Sequence, residues 1–160
     1  METKQTWLRI LLPIACIISG ILAGGNIDRY IVQVPAWHHV SILSWADYSR
    51  YADLGNGLFL YPFEAFGSFL PLLIASIIVI NKKNPASFPV LLATFFALLG
   101  LVFTIFAAPV MLSIKDMKND PILLQRAFDT FHFWGTIRAV TQVLSFFACV
   151  WAMGKVFATK

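Results

Sequence analysis

The sequence predicts an all-α integral membrane protein, a single domain over residues 1–160 that forms a four-transmembrane-helix bundle. Only 12% of the 160 residues are charged and 59% are hydrophobic, whereas about a quarter of a soluble domain is charged. The mean hydropathy is +0.76. The apolar residues form four stretches of the roughly 20 residues that cross a bilayer core. Because lipid cannot satisfy backbone polar groups, we expect each stretch to be a helix.

The predicted spans cover about residues 7–25, 54–80, 87–112 and 131–157. The first also has the shape of a signal peptide, since Lys4 and Arg9 precede an apolar run that ends in small residues; we take it as a retained span. The spans leave two long connections, 26–53 and 113–130, on one side of the membrane, and a short one on the other. The short connection, Asn81 to Ala86, holds Lys82 and Lys83 at the membrane edge. The positive-inside rule therefore predicts cytoplasmic N- and C-termini and two outer connections.

The first outer connection predicts a short outer-surface helix between the first and second spans. Residues 37–51 have helical composition and include Trp37, Trp45, Tyr48 and Tyr51, residue types that settle at the membrane–water boundary. Such a helix would cover the outer end of the bundle. An aromatic anchor with no further role is the alternative interpretation.

Two charged residues fall inside predicted spans, Glu64 in the second and Arg138 in the fourth. A strongly charged group at the bilayer centre costs about 2.5–3.5 kcal/mol on insertion scales, so such groups are usually paired. Each residue lies eight positions, or about 12 Å, below the predicted outer end of its span. We therefore expect an ion pair between them, with both as catalytic candidates. The alternative is a pair that serves only to fix helix register.

Polar residues extend this site along two helix faces. In the second span Asp53, Asn56, Leu60 and Glu64 recur at steps of three or four, which places them on one face. A second stripe in the fourth span consists of Trp134, Arg138, Thr141, Gln142 and Ser145. Turned inward, the stripes would line a polar cavity open to the outer face. The predicted substrate-binding residues are Asp53, Asn56, Tyr61, Trp134 and Gln142.

His132 is the third catalytic candidate, because it lies one turn inside the fourth span, near Asp129. His38 and His39 lie in the outer segment, and imidazoles with carboxylates suit zinc, copper or iron. The sequence has neither HExxH nor ExxH, however. No metal site is predicted, and no cofactor is identified.

Several short segments carry a resemblance to a known family. They are Asp28-Arg29-Tyr30, Pro35-Ala36-Trp37, Tyr48 to Gly57, Tyr61-Pro62, Glu64-Ala65, and Trp134 with Arg138. On these segments the chain resembles bacterial members of the anthrone oxygenase-like family of small four-span membrane proteins. The resemblance implies a bacterial inner-membrane location and, as in fungal relatives, oxidation of anthrones to anthraquinones by molecular oxygen.

The resemblance also implies that Trp134 and Arg138 are site residues. This chain differs from those relatives in one respect. They tend to carry an asparagine in the fourth-span motif, near Gly135 or Thr136 here.

These observations favour a membrane oxidoreductase or oxygenase that acts on a hydrophobic aromatic or quinone-like molecule in an intramembrane polar pocket. Arg138 would stabilise an enolate or phenolate oxygen. Glu64 would position Arg138 or remove a proton. The alternatives are a non-catalytic protein that binds or transports a lipid, quinone or small anion, and a scaffold subunit.

The expected partners are the lipid bilayer and a hydrophobic small molecule, and a homo-oligomer is compatible with the sequence. The basic residues are scattered rather than gathered on one face, so nucleic acid is not an expected partner. A ligand-sized cavity near Glu64 would favour an enzyme or a binding protein, and tight packing there would favour a scaffold.

Overall fold

The computed structural model describes residues 2–80 and 84–158, and within these ranges the chain is entirely helices and turns. The elements, in chain order, are α1 (Glu2–Asp28), a π-helical turn (Arg29–Gln33), α2 (Val34–Trp37), α3 (Ile42–Tyr51), a second π-helical turn (Ala52–Asn56), α4 (Gly57–Val79), α5 (Ser87–Ser113) and α6 (Pro121–Ala158).

The helices form an antiparallel bundle in which each long helix packs against its neighbour in sequence and α1 closes the ring against α6. Both chain ends lie together, since the Gln5 side-chain amide donates to the carbonyl of Val156 at 3.3 Å. We call this the terminal end. The opposite, distal end holds the turns at residues 38–41 and 114–120. In the described part of the chain, four helices are long and apolar enough to cross a membrane: Lys4–Trp37, Ile42–Val79, Ser87–Ser113 and Pro121–Ala158.

The helices are longer than the predicted spans, and much of both predicted outer connections, 26–53 and 113–130, is helical. The first long helix continues from α1 through the π-helical turn Arg29–Gln33 and α2 to Trp37. The fourth helix begins at Pro121 rather than near residue 131, because Asp120 caps it. The Asp120 carboxylate accepts from the backbone N–H groups of Ile122 and Leu123 at 2.9 and 3.3 Å, and proline suits the first helical position.

The predicted short helix is present as α3. Its first turn is capped by Ser41, whose hydroxyl accepts from the backbone N–H of Ser44 at 3.1 Å. Trp45 is 1% exposed and packs edge-on against Phe128 of α6, with ring centroids 5.0 Å apart. The helix is therefore fixed onto the distal part of α6 through a buried indole.

Two apolar cores hold the bundle together, one near each end. The terminal core includes Leu8, Leu12, Leu72, Val90 and Val156. The distal core includes Trp45, Met111, Leu124, Phe128 and Phe131. The buried polar side chains Asn26, Arg29, Glu64, Gln142 and Ser145 lie between these cores along the chain. The middle of the bundle is therefore polar inside.

The outer surface of the bundle is apolar. Every long helix exposes large hydrophobic side chains, among them Ile17, Phe59, Ile77, Ile105 and Phe147. Exposed apolar surface of this extent marks a surface that meets a partner or a membrane.

Replacing Trp45 by alanine tests the packing of α3 on α6. Loss of a buried Trp costs about 3–5 kcal/mol, so thermal unfolding in detergent should begin roughly 10 °C lower. Tyr51→Ala, in the same helix, is the matched control because Tyr51 is 85% exposed. Equal midpoints for the two variants would contradict the docking of α3 through Trp45.

Candidate functional site

A buried ion pair near the distal end joins the helical segment that follows α1 to the helical segment that precedes α4. The Arg29 guanidinium donates through Nη2 to Asp53 Oδ1, and the two side chains are 10% and 2% exposed. The Tyr61 hydroxyl accepts from the same Nη2 at 3.0 Å and donates to the same Oδ1 at 3.0 Å. Of these three residues, Asp53 and Tyr61 were predicted to bind substrate. Arg29 was not, because the sequence analysis placed it in a connection.

Both charges of this pair come from π-helical turns. Arg29 begins the turn Arg29–Gln33, and Asp53 lies in the turn Ala52–Asn56. In the second turn the backbone of Gly55 leaves helical geometry, at φ −88° and ψ −113°. A π-helical turn places an extra residue in the helix and so redirects the side chains around it, a feature common at functional sites. The spacing of polar and apolar residues in the sequence does not predict these turns.

Aromatic rings cover the Arg29 guanidinium. Its Cζ atom lies 5.9 Å from the Trp37 ring centroid and 5.4 Å from that of Tyr61. Guanidinium groups are attracted to aromatic faces at this range, more strongly where water is excluded. The ion pair is therefore covered by the ring of Tyr61 and by that of Trp37, the last residue of α2.

Arg138 lies near this ion pair but has no carboxylate of its own. Its guanidinium interacts electrostatically with Arg29, Tyr30, Asp53 and Tyr61, and its Cζ atom is 6.0 Å from the Phe131 ring centroid. Within residues 2–80 and 84–158 it forms no salt bridge, and its buried Nε has no hydrogen-bond partner. The site thus holds two guanidinium groups, and only one is neutralised by direct contact.

The Tyr30 side chain extends from the first π-helical turn to α6, between the guanidinium groups of Arg29 and Arg138. Its hydroxyl oxygen is 2.2 Å from where a Cβ atom on Gly135 would stand. The absence of a side chain at position 135 therefore makes the notch that this hydroxyl fills. The same ring lies 5.6 Å from that of His132.

His132 lies in an aromatic crevice next to Tyr30. Its ring stacks on Phe128 with centroids 5.9 Å apart, and it meets the His38 ring edge-on at 6.4 Å. Its Nδ1 is buried without a hydrogen-bond partner in the described structure. The crevice is lined by Arg29, Tyr30, Val34, Trp37, Phe128, Phe131 and His132 and has no room for a water molecule. We call Arg29, Tyr30, Asp53, Tyr61, His132 and Arg138 the distal polar cluster.

The predicted ion pair between Glu64 and Arg138 is not formed. Glu64 is buried at 7% exposure, yet it has neither a salt bridge nor a hydrogen bond to any described residue. The helices that carry the two residues, α4 and α6, lie at diagonal corners of the bundle. Ala65 and Gln142 line one small cavity, which places Glu64 level with Thr141, about one turn from Arg138. The predicted pair fails because α4 and α6 are not neighbours in the bundle.

The predicted stripe along the second span is also wrong. Asp53 and Glu64 are buried, but Asn56 and Leu60 are exposed. The π-helical turn and the kink at Gly55 separate Asp53 from the register of α4. Asn56 therefore points away from the distal polar cluster.

The predicted polar stripe on α6 agrees better with the structure. Thr141, Gln142 and Ser145 are buried, and the Gln142 side-chain oxygen accepts from Asn26 at 2.7 Å. Gln142 lines a small polar cavity, with room for about one water molecule, together with Ser19, Ser68 and Ser145. Trp134 lies elsewhere, stacked on Phe106 of α5 with centroids 4.8 Å apart.

No group of three or more His, Cys, Asp or Glu side chains could hold a metal ion among the residues that the structure describes. His38 and His132 are neighbours, but no third ligand of these types joins them. What the cluster can do chemically is bind an oxygen atom that carries or develops negative charge, between Arg138 and aromatic rings.

No protein-family model, curated protein or solved structure matches the chain. The resemblance to the anthrone oxygenase-like family therefore stays a prediction from the segments quoted above.

Asp53→Asn tests the buried ion pair. Removing one partner of such a pair costs about 3–5 kcal/mol, because the remaining charge stays buried and uncompensated. We expect a clear fall in the unfolding midpoint in detergent. Asp47→Asn is the matched control, since Asp47 pairs with Arg50 while 61% exposed, and exposed pairs contribute about 0–1 kcal/mol.

A double variant, Arg29→Gln with Asp53→Asn, should lose less stability than the sum of its single variants, because neither charge is then left alone. Strict additivity, or equal effects of Asp53→Asn and Asp47→Asn, would contradict the role given to this pair.

Proposed function

We propose that this chain is an integral membrane protein that acts as an oxidoreductase on a hydrophobic aromatic or quinone-like molecule bound at the distal polar cluster. The guanidinium of Arg138 is the observation that carries this proposal, because it forms no salt bridge among the described residues and its buried Nε has no hydrogen-bond partner.

Insertion in a membrane is supported by the distribution of polar and apolar residues, and the inner membrane of a bacterium is proposed from the family resemblance alone. Apolar side chains cover the outside of four long helices, while Arg29, Asp53, Glu64 and Gln142 are buried. Ionisable residues of membrane helices face the bundle interior in this way. We place both termini in the cytoplasm and the distal end outside, from Lys82 and Lys83, which lie outside the described residues.

The charge balance of the cluster favours an anionic or electron-rich oxygen as the ligand group. Asp53 neutralises Arg29 directly, which leaves the positive charge of Arg138 without a contacting counter-ion. A buried charge without a partner is costly, and the cost is relieved when a ligand oxygen accepts its hydrogen bonds. Aromatic side chains around it suit a flat, hydrophobic ligand.

The segments that carry the family resemblance add further support. They are distant in sequence, yet four of their side chains, those of Arg29, Asp53, Tyr61 and Arg138, interact at one site. Their shared location supports a common site formed by these segments.

An oxygenation fits these residues. Removal of a proton from the CH₂ group opposite the carbonyl of an anthrone gives the conjugated anthranolate, whose negative oxygen Arg138 stabilises. The buried Nδ1 of His132 or the carboxylate of Glu64 is the candidate base. With molecular oxygen as the oxidant, a CH₂ group becomes a carbonyl and the second oxygen atom leaves as water. The reaction needs no external reductant.

A non-catalytic binding protein is the second candidate, and the closed packing favours it. The aromatic crevice has no room for water, and the cavity at Gln142 has room for about one water molecule. A ligand must therefore displace side chains to enter. That cost is easier to reconcile with slow, tight binding than with rapid turnover.

Arg138→Gln tests the proposal, with anthrone as the probe and the protein in detergent. Loss of a hydrogen bond to a charged group should weaken anthrone binding roughly 10- to 100-fold. Binding is measured by quenching of tryptophan fluorescence, and turnover by anthraquinone formed and oxygen consumed. Arg126→Gln is the matched control on the same helix, since Arg126 is exposed.

A second comparison isolates the oxygen. 9,10-Dihydroanthracene lacks the carbonyl of anthrone, so its binding should be equal in the wild type and in Arg138→Gln. Anthrone binding without anthraquinone would favour the non-catalytic candidate. Undiminished anthrone binding by a folded Arg138→Gln variant would remove Arg138 from the site.

A further inference from the structure

Tyr30 is a member of the distal polar cluster that was not predicted as a site residue. Its hydroxyl lies on the backbone of Gly135, in the notch that a Cβ atom would occupy. The hydroxyl thus lies where α6 lacks a side chain and beside the side chain of the next residue, Thr136, with which it interacts. The fit points to a specific seat for an aromatic hydroxyl group.

The surroundings of that phenol are those expected for a bound ligand. Its ring lies 5.6 Å from His132, and its hydroxyl interacts electrostatically with Arg29 and Arg138. Arg138 is three residues, about one turn, beyond Gly135 on α6. A phenol is thus held beside an unpaired guanidinium and among aromatic rings.

The crevice that contains Tyr30 has no room for a water molecule. Two of its other members are held in place, Arg29 by Asp53 and Trp37 by Tyr48 and Phe128. Tyr30 is half-buried, and only two side-chain torsions need to change for its ring to leave. It is the member of the crevice whose departure would make room for a ring of the same size.

We infer that the Tyr30 side chain is a built-in plug that occupies the seat of a ligand's phenol or enol ring. The inference rests on the proposed function and makes it more specific. The ligand presents an aromatic ring bearing a hydroxyl or enolate oxygen, and it binds by displacing Tyr30 from Gly135. Tyr30 then sets both the shape of the accepted group and the threshold for binding.

Chemical complementation of Tyr30→Ala tests the seat directly. Removal of the side chain leaves a cavity of its own shape, so the variant unfolds at a lower temperature than the wild type. p-Cresol, which is the tyrosine side chain as a free molecule, should raise that midpoint by mass action. Toluene lacks the hydroxyl and should raise it much less.

Two further variants serve as controls. Tyr30→Phe keeps a ring that competes for the seat, so p-cresol should raise its midpoint much less than that of Tyr30→Ala. In Tyr30→Ala with Gly135→Ala the new methyl group fills the notch, and the effect of p-cresol should be lost. An equal effect of toluene and p-cresol on Tyr30→Ala, or no effect of p-cresol, would overturn the inference.

Anthrone affinity gives a second measurement that does not depend on the folding of Tyr30→Ala. Tyr30→Phe removes the hydroxyl that holds the plug beside Gly135, so the open form becomes more populated. The apparent affinity for anthrone should rise roughly three- to tenfold. A tyrosine that contacts the ligand directly would give the opposite result, and weaker or unchanged binding overturns the plug.

The two proposals fail in different ways. If anthrone binds to none of the variants while p-cresol still stabilises Tyr30→Ala, the seat stands and the proposed function falls. If Arg138→Gln loses anthrone binding while p-cresol and Tyr30→Phe have no effect, the proposed function stands and the plug falls. If Tyr30→Ala does not fold even with p-cresol, the Tyr30→Phe affinity decides.

Discussion

The distal half of this protein depends on the buried ion pair between Arg29 and Asp53. Each charge alone would be expensive to remove from water, and their attraction offsets that cost only where the geometry is good and other hydrogen bonds are satisfied. Tyr61 supplies this by bonding to both. The pair links the helical segment before the turn at residues 38–41 to the helical segment after that turn. It therefore fixes how α2 and α3 lie against α6. The crevice at Tyr30 and His132 exists because of that placement.

Long apolar runs were enough to predict the four helices, since their lengths leave a chain in lipid few alternatives. The same runs set the limits of the prediction. The first span was ended at Gly25, so Arg29 was assigned to a connection, although its helix continues to Trp37. Hydropathy falls at Asp28 and Arg29, yet the helix continues, and Arg29 is buried in the polar interior of the bundle.

The site was predicted in its residue types more than in its pairings. Asp53, Tyr61, Gln142 and His132 do lie in polar or aromatic clusters, because polar residues in apolar stretches must find partners. The pairing of Glu64 with Arg138 failed because the helices that carry them, α4 and α6, are not neighbours in the bundle. Two π-helical turns and the kink at Gly55 alter the register, and such turns arise from tertiary packing that one sequence does not display. An isolated helical periodicity cannot reveal them.

The tightly packed crevice and the unpaired guanidinium of Arg138 are two aspects of one constraint. The crevice has no room for a water molecule, so an electron-rich oxygen among its aromatic rings comes from the protein or from a ligand. In the closed form the Tyr30 hydroxyl is such a group. A ligand with a phenol or enol ring would replace it with a similar ring and oxygen, so most of the displaced contacts would be remade. The free energy of exchange is then small for a matching ring and large for other molecules, because they would leave the guanidinium and the notch at Gly135 unfilled. Under the proposed plug, selectivity would arise from the Tyr30 ring that already occupies the site.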